Sequence, residues 1–202
     1  MAWLRELAAV GASVHSGLRV TGGLEPGERV EDLELEECVV DGVVVESARL
    51  ARCTFVECTF EGCNLSMADL VDSRFVECRF VGCKALAVRW SVVETSGLAP
   101  VPMRFERCQL DLSSFAGADL TGWVMRDCGL READFTDAVL RRADLGGCDV
   151  SGAAFGGADL REASLVGVVG LGLDVRTARV QGLVVDAATG LDLVAGLGID
   201  VR

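Results

Sequence analysis

Aromatic residues and acid–base side chains are scarce in this chain of 202 residues. Aromatic residues make up 5% of the sequence, tyrosine is absent, and the chain has one histidine, His15, and one lysine, Lys84. A hydrophobic core must therefore be built from leucine, valine, alanine, cysteine and phenylalanine. One histidine and one lysine leave few groups for general acid–base catalysis.

The chain also lacks the short motifs of common enzyme classes. It contains no nucleophile elbow, no P-loop, no complete dinucleotide-binding glycine motif and no HExxH zinc motif. We therefore predict that the protein is not an enzyme, has no catalytic residue and needs no cofactor.

No apolar run in the sequence is long enough to span a membrane. The N-terminal stretch MAWLRELAAVGASVHSG has an apolar centre, but Glu6 interrupts it. We interpret this stretch as a weak helix or a loose end rather than a signal peptide. The expected location is the cytoplasm, without membrane association.

The chain has few positive charges relative to negative ones, and its net charge is −12. Every basic residue except Lys84 and the histidine is an arginine. Such a charge argues against direct nucleic-acid binding, which needs a basic surface. Two interpretations stay open. The charge keeps the protein soluble, or it attracts a partner that normally binds a polyanion.

A strict five-residue repeat dominates what is present. Between residues 133 and 165 a hydrophobic residue recurs at every fifth position, which fits neither a strand nor an amphipathic helix. All eight phenylalanines of the chain share this phase, and all nine cysteines lie two positions earlier. A large and a small inward position in every five residues predict a solenoid whose repeats stack on one another.

The pentapeptides ADFTD, AVLRR, ADLGG, AAFGG and ADLRE resemble the A(D/N)Lxx motif of the pentapeptide-repeat family. The resemblance implies an all-β fold, a right-handed quadrilateral β-helix with four five-residue sides per coil. It covers roughly residues 30 to 180. We expect an N-terminal extension and cap at 1–29, the β-helix at 30–182 with an irregularity at 86–102, and a C-terminal helix and dimerisation segment at 183–202.

Residues 20 apart should then stack, and the sequence supports this period. Predicted columns are Phe55, Phe75, Phe115, Phe135 and Phe155 with a gap at Thr95; Cys38, Cys58 and Cys78; Cys63 and Cys83; and Cys108, Cys128 and Cys148. The phenylalanine column predicts an unchanged 20-residue coil across the irregular segment. That segment is either a tolerated irregular loop or a protruding partner-binding loop.

The cysteines are expected to be reduced structural fillers rather than metal ligands. Their C-x4-C spacing follows from the repeat and differs from the usual zinc spacing. They occupy the small inward position that alanine takes elsewhere, as a small apolar side chain would. We therefore predict no metal site.

The sequence after residue 180 predicts a short helix from Asp186 to Ala195, with Asp186 as its N-cap. Its apolar residues must pack against something. They cap the open end of the β-helix or join two chains about a two-fold axis. The predicted homodimer interface consists of Leu191, Val194, Leu197 and Ile199.

This C-terminal pattern, and the stretch CKALAVRW…FERCQLDLSSFAGADL, are similar to Qnr-type members of the family. That resemblance implies a homodimer that binds bacterial DNA gyrase or topoisomerase IV as an acidic DNA mimic and protects it from quinolones or natural-product poisons. The alternative is a structural or adaptor solenoid with an unrelated protein partner.

Candidate partner-binding residues are selected for their outward position. They are Asp119, Asp134, Asp144, Asp159 and, in the irregular segment, Glu94. Motif aspartates can instead serve hydrogen bonds at the corners of the coil. Neighbouring arginines also count against an unbroken acidic stripe: Arg131, Arg141, Arg142 and Arg161.

Overall fold

A computed structural model of the chain describes residues 2–10, 13–92 and 102–200. It is a right-handed quadrilateral β-helix with a short C-terminal helix, which confirms the fold that the family resemblance implies. Most strands are three residues long, because the chain turns a corner every five residues, and every strand pairing is parallel. The strands are β1 (Ala2–Trp3), β2 (Val14–Ser16), β3 (Arg19–Thr21), β4 (Arg29–Glu31), β5 (Glu34–Glu36), β6 (Val39–Asp41), β7 (Arg49–Ala51), β8 (Thr54–Val56), β9 (Thr59–Glu61), β10 (Arg74–Val76), β11 (Arg79–Val81), β12 (Arg104–Glu106) and β13 (Val124–Arg126).

The coil has four sides, which we number along the chain. Side 1 contains β2, β5, β8 and β10, and side 2 contains β3, β6, β9, β11, β12 and β13. Side 3 is a column of single-residue bridges that includes Asn64, Lys84 and Gln109, and side 4 contains β4, β7 and the bridged residues Arg89 and Ser114. Sides 1 and 3 therefore face in opposite directions.

The large inward residues form the core by stacking on the equivalent residue of the next coil. Phe55 stacks on Phe75 with ring centroids 4.6 Å apart, and Phe60 stacks on Phe80 at 4.5 Å. These spacings follow from the distance between hydrogen-bonded strands. Because every coil buries one large and one small side chain per side, the core is continuous along the solenoid.

The corners require a left-handed backbone conformation. Glycine takes this position at several corners, for example Gly62 and Gly82 with φ of 58° and 60°. Where glycine is absent the position is mostly taken by aspartate, glutamate or arginine, whose side chains point to solvent. Among the described residues, 16 non-glycine residues have positive φ.

The predicted constancy of the 20-residue coil is wrong at the irregular segment. Phe80 pairs with Phe105 and Arg89 bridges to Ser114, so this coil contains 25 residues. Phe115 consequently stacks on Trp90 rather than continuing the column of Phe75. The five additional residues lie between Arg89 on side 4 and Arg104 on side 2.

The same shift corrects the predicted cysteine columns. The sequence predicts one column that ends at Cys83 and a separate column that begins at Cys108. The shift places Cys108 on Cys83, so the two form one continuous column of five cysteines. A backbone hydrogen bond from Gln109 N–H to the Cys83 carbonyl, 2.9 Å, marks this register. The column consists of Cys63, Cys83, Cys108, Cys128 and Cys148.

All nine cysteines are free and buried, as the filler hypothesis expects. Burial raises the pKa of the Cys53 and Cys58 thiols to about 11 and that of Cys78 to about 12. Each Sγ donates to the carbonyl of the preceding coil, as from Cys148 to Met125 O at 3.1 Å. Cys53, Cys58 and Cys78 are therefore protonated donors inside an apolar core.

Helices lie at both ends of the solenoid. Helix α1 (Leu4–Ala9) buries Leu4 and Leu7 against the first coil. Helix α2 (Ala187–Gly196) begins where the sequence predicts, since the Asp186 side chain accepts a hydrogen bond from Thr189 N–H. Within the described residues, neither helix is long and apolar enough to cross a membrane.

Candidate protein-binding surfaces

The predicted partner-binding aspartates are held in turn hydrogen bonds. The Oδ1 atom of Asp119 accepts from Thr121 N–H at 3.0 Å, and that of Asp134 accepts from Thr136 N–H at 2.9 Å. Asp144 accepts from Gly146 N–H in the same way. The structure thus shows the corner hydrogen bonds that the sequence offered as their alternative role.

Arginine neutralises two of these aspartates. Arg126 forms an ion pair with Asp144, and its Nε lies 2.8 Å from Oδ2. Asp159 is almost fully buried and is paired with Arg161, with Arg179 at 3.8 Å. The Arg161 guanidinium holds the pKa of Asp159 down at about 2. Both carboxylates are consequently weak candidates for attracting a distant basic partner.

The four aspartates do not form one surface. Asp119 and Asp159 lie on side 1, where each forms a single-residue bridge with Val139 between them. Asp144 lies on side 2, and Asp134 lies on side 4. Glu94 lies outside the described residues. Their role in partner binding stays a prediction.

A concentration of unpaired negative charge lies elsewhere, on the N-terminal half of side 1. Glu37, Glu57 and Glu77 occupy the same corner of three successive coils, with φ between 51° and 55°. Glu37 N–H donates to Val56 O and Glu57 N–H to Val76 O, both at 2.9 Å, so the three corners stack directly. We call these three residues the acidic edge.

Glu37, Glu57 and Glu77 form no ion pair with another residue that the structure describes. Glu34 and Glu36 of β5 add two half-buried carboxylates to the same side. The 20-residue spacing of Glu37, Glu57 and Glu77 is visible in the sequence. Sequence reasoning missed it because it selected single motif aspartates.

Other acidic residues form ion pairs with an arginine of the neighbouring coil. Arg52 binds Glu31 and Asp32 with distances of 2.8 Å to each, and Arg79 binds Glu106 at 2.8 Å. Such pairs make sides 2 and 4 mixed in charge. The acidic edge therefore differs from its surroundings by the absence of ion pairs with described residues rather than by the number of acids.

The C-terminal end exposes apolar side chains. Leu191, Leu197 and Ile199 are 51%, 44% and 53% exposed, and Val194 is half-buried. A groove of about 260 Å³ lies between α2 and the segment 171–176 of the last coil. An exposed apolar helix face beside a groove is a surface on which another chain can pack.

The interior offers no room for a substrate-sized molecule in the part that the structure describes. An apolar cavity of about 20 Å³ lies near α1, with Leu4, Leu33 and Leu35 among its lining residues. No group of three or more histidine, cysteine or acidic side chains among the described residues is arranged to hold a metal ion.

Comparison with known proteins gives the same fold. A family model described as pentapeptide repeats matches residues 42–84, 104–142 and 138–169, with eight copies. No curated protein sequence matches the chain significantly.

Solved structures with this fold are similar over nearly the whole chain at low sequence identity. HetL, a pentapeptide-repeat protein involved in heterocyst differentiation regulation from the cyanobacterium Nostoc sp. strain PCC 7120, has a TM-score of 0.60 and 20% identity, over 90% of each chain. QnrB1, a plasmid-mediated fluoroquinolone resistance protein, has a TM-score of 0.57 and 20% identity in a trypsin-treated form, over 94% of this chain and 100% of that one. Full-length QnrB1 has a TM-score of 0.54 and 20% identity, over 93% and 100%.

Proposed function

The chain belongs to the pentapeptide-repeat family, and from this membership we propose that it is a protein-binding rod without enzymatic activity. Its proposed partner is a bacterial type II topoisomerase, DNA gyrase or topoisomerase IV. By occupying the surface that normally receives DNA, it would protect that enzyme from quinolones or natural-product poisons. Its setting in this proposal is the cytoplasm, where buried thiols stay reduced.

The observation that carries the proposal is the acidic edge. Glu37, Glu57 and Glu77 repeat at the spacing of the coils on a rigid backbone, and none forms an ion pair with another described residue. A DNA-binding surface is basic, and its interaction with a row of fixed carboxylates is attractive over several ångströms and sensitive to salt. Side 1 is the proposed contact, and Asp119, at the other end of the same side, is its proposed continuation.

Dimerisation through α2 would place two rods end to end. Leu191, Leu197 and Ile199 expose enough apolar surface to favour contact with a second copy. A two-fold axis at this end would put the acidic edges at the two far ends of the assembly. The partner would then meet carboxylates along a length greater than one chain provides.

A gyrase supercoiling assay across a titration of this protein, with and without a fluoroquinolone, tests the proposal. Rescue of supercoiling in the presence of the drug, or inhibition without it, is the expected result at micromolar protein or below. The variant Glu37→Gln/Glu57→Gln/Glu77→Gln should lose the effect. The matched control is Glu31→Gln/Asp32→Asn, because those carboxylates are already paired with Arg52. Absence of any effect on gyrase and topoisomerase IV from several bacteria, with the β-rich fold confirmed by circular dichroism, would contradict it.

A second candidate function is an adaptor that joins proteins unrelated to topoisomerases. The observation that favours it is the pairing of Asp144 and Asp159 with arginine, which interrupts the acidic surface toward the C-terminal end. The similarity to HetL, described as involved in differentiation regulation, concerns the same fold. A folded protein that leaves topoisomerases unaffected would favour this function.

A further inference from the structure

The corner between sides 3 and 4 differs from all others in the described part of the chain, because it has apolar side chains at the left-handed position. Of the 16 non-glycine residues with positive φ, three have apolar side chains: Met67, Ala87 and Leu112, with φ of 56°, 53° and 62°. They occupy the same corner of three successive coils. Met67 N–H donates to Leu86 O at 2.8 Å, and Ala87 N–H donates to Asp111 O at 3.0 Å. We call Met67, Leu86, Ala87 and Leu112 the apolar corner.

Folding does not explain these side chains. Met67 is 53% and Leu112 is 56% exposed, so neither contributes much burial. A left-handed backbone disfavours bulky side chains relative to glycine, asparagine or aspartate. Exposed apolar residues at three consecutive disfavoured positions are better explained by a contact with another molecule than by stability.

Two cations flank the apolar corner along one coil. Lys84 and Arg89 are exposed and lie on either side of Leu86 and Ala87. Neither forms an ion pair with a residue that the structure describes. Two carboxylates lie near in register: Asp69 is paired with Arg49 at 3.7 Å, and Asp111 accepts a hydrogen bond from Arg131 N–H at 2.9 Å. In a chain with a net charge of −12, two unpaired cations beside an apolar surface select a negatively charged ligand.

A groove completes the arrangement. It has a volume of about 180 Å³ and lies among Met67, Ala87, Arg89 and the side 4 segment 68–70. Asp69 Oδ1 is buried and has no hydrogen-bond partner in the described structure.

We propose that the apolar corner and this groove bind a peptide segment of another protein in which an apolar side chain is followed by carboxylates. The apolar side chain enters the groove between Met67 and Ala87, and the carboxylates bind Lys84 and Arg89. The interaction is independent of the proposed topoisomerase function. Because side 3 faces away from the acidic edge on side 1, both surfaces can be occupied at once.

The test measures the fluorescence anisotropy of labelled decapeptides titrated with the full chain at low salt. The probe contains one leucine and one phenylalanine followed by two glutamates, and the control peptide has lysines in place of the glutamates. We expect the acidic peptide to bind at least about tenfold more tightly than the basic one. Equal affinities for the two peptides, or no binding of either, would overturn the proposal.

Variants locate the site without disturbing the fold. Met67→Asp and Leu112→Asp introduce a residue type that Asp72 and Asp127 already show to be compatible with a left-handed corner. These variants and Lys84→Glu should each weaken binding of the acidic peptide by about tenfold, as loss of a central contact does. Glu132→Asp, at the same corner one coil further on, is the matched control and should change affinity less than about twofold. Binding that survives the first three variants contradicts the proposal.

Sedimentation distinguishes a second copy of this chain as the occupant. Concentration-dependent association that Met67→Asp abolishes would show that the surface pairs copies of the chain, and this would also overturn the proposal. The full chain should instead show the same association state as Met67→Asp.

Discussion

At the scale of the residue, burial decides the chemistry of the cysteines. Each thiol takes the small inward position and donates to a carbonyl of the preceding coil, as Cys63 does to Val40 O at 3.2 Å. Because burial disfavours the thiolate of Cys53, Cys58 and Cys78, these thiols are poor nucleophiles and poor metal ligands at neutral pH. Their number therefore indicates packing and not redox chemistry.

The raised thiol pKa values predict a loss of stability at alkaline pH. The pKa of Cys78 is about 12 in the folded chain, against an ordinary value of 9.0. Above pH 9 the unfolded chain loses this proton while the folded chain keeps it, so the free energy of unfolding falls as pH rises towards 12. One such thiol lowers the free energy of unfolding by at most about 1.4 kcal/mol for each pH unit.

Urea unfolding of the wild type and Cys78→Ala at about pH 7, 9 and 10.5 checks this expectation. The variant should be less stable than the wild type at neutral pH, because it leaves a small cavity. That difference should shrink as pH rises, since the variant has no thiol to ionise. Val150→Ala, a buried substitution without a titrating group, should keep a constant difference. A constant difference for Cys78→Ala as well would contradict the assigned pKa.

At the scale of the element, the 25-residue coil shows what periodicity can and cannot predict. An insertion of five residues leaves every inward and outward position in phase, so the five-residue pattern is unaffected by it. The pattern therefore predicts which residues are buried but not which coil they stack on. RFxxC occurs at residues 74–78, 79–83 and 104–108, so the sequence is compatible with a spacing of 30 or 25, and the pairing of Phe105 with Phe80 in the structure selects 25.

For the candidate sites too, the sequence predicts local features but not contacts between neighbouring coils. The sequence correctly indicates that Asp186 caps α2, because an N-cap depends on local chemistry alone. It does not indicate that Asp159 is buried between arginines, since this depends on the residues of the neighbouring coil. Contacts between coils, rather than within a pentapeptide, decide which carboxylates stay free.

Helix α2 supplies the prediction for the oligomeric state. If its exposed leucines form the contact between two chains, Leu191→Glu/Leu197→Glu should convert the dimer to a monomer, because each glutamate would place a charge in an apolar interface. Sedimentation velocity should show the mass fall from about twice to about once the chain mass of 21.3 kDa. Asp192→Asn, on the same helix, is the control and should stay dimeric. A wild type that sediments as a monomer would contradict the predicted interface.

At the scale of the whole molecule, the solenoid separates charges that are mixed in the sequence. The acidic edge and β5 place five carboxylates on the N-terminal half of side 1, which also carries Arg74 of β10, while Arg141 and Arg142 lie further along the same side. Side 3 carries the apolar corner with its two flanking cations. A rigid backbone keeps these surfaces apart, so that different partners meet different sides.

This separation makes the salt dependence of topoisomerase binding a test of the acidic edge itself. Fixed carboxylates outside ion pairs are screened as the Debye length falls below about 10 Å near 0.1 M salt, whereas apolar contacts through α2 are not. The protein's effect on gyrase supercoiling should therefore require higher concentrations as salt increases within the range in which gyrase is active. Glu37→Gln/Glu57→Gln/Glu77→Gln should show a weaker effect at low salt and a shallower dependence. Equal salt dependence of the variant and the wild type would assign the contact to another part of the rod.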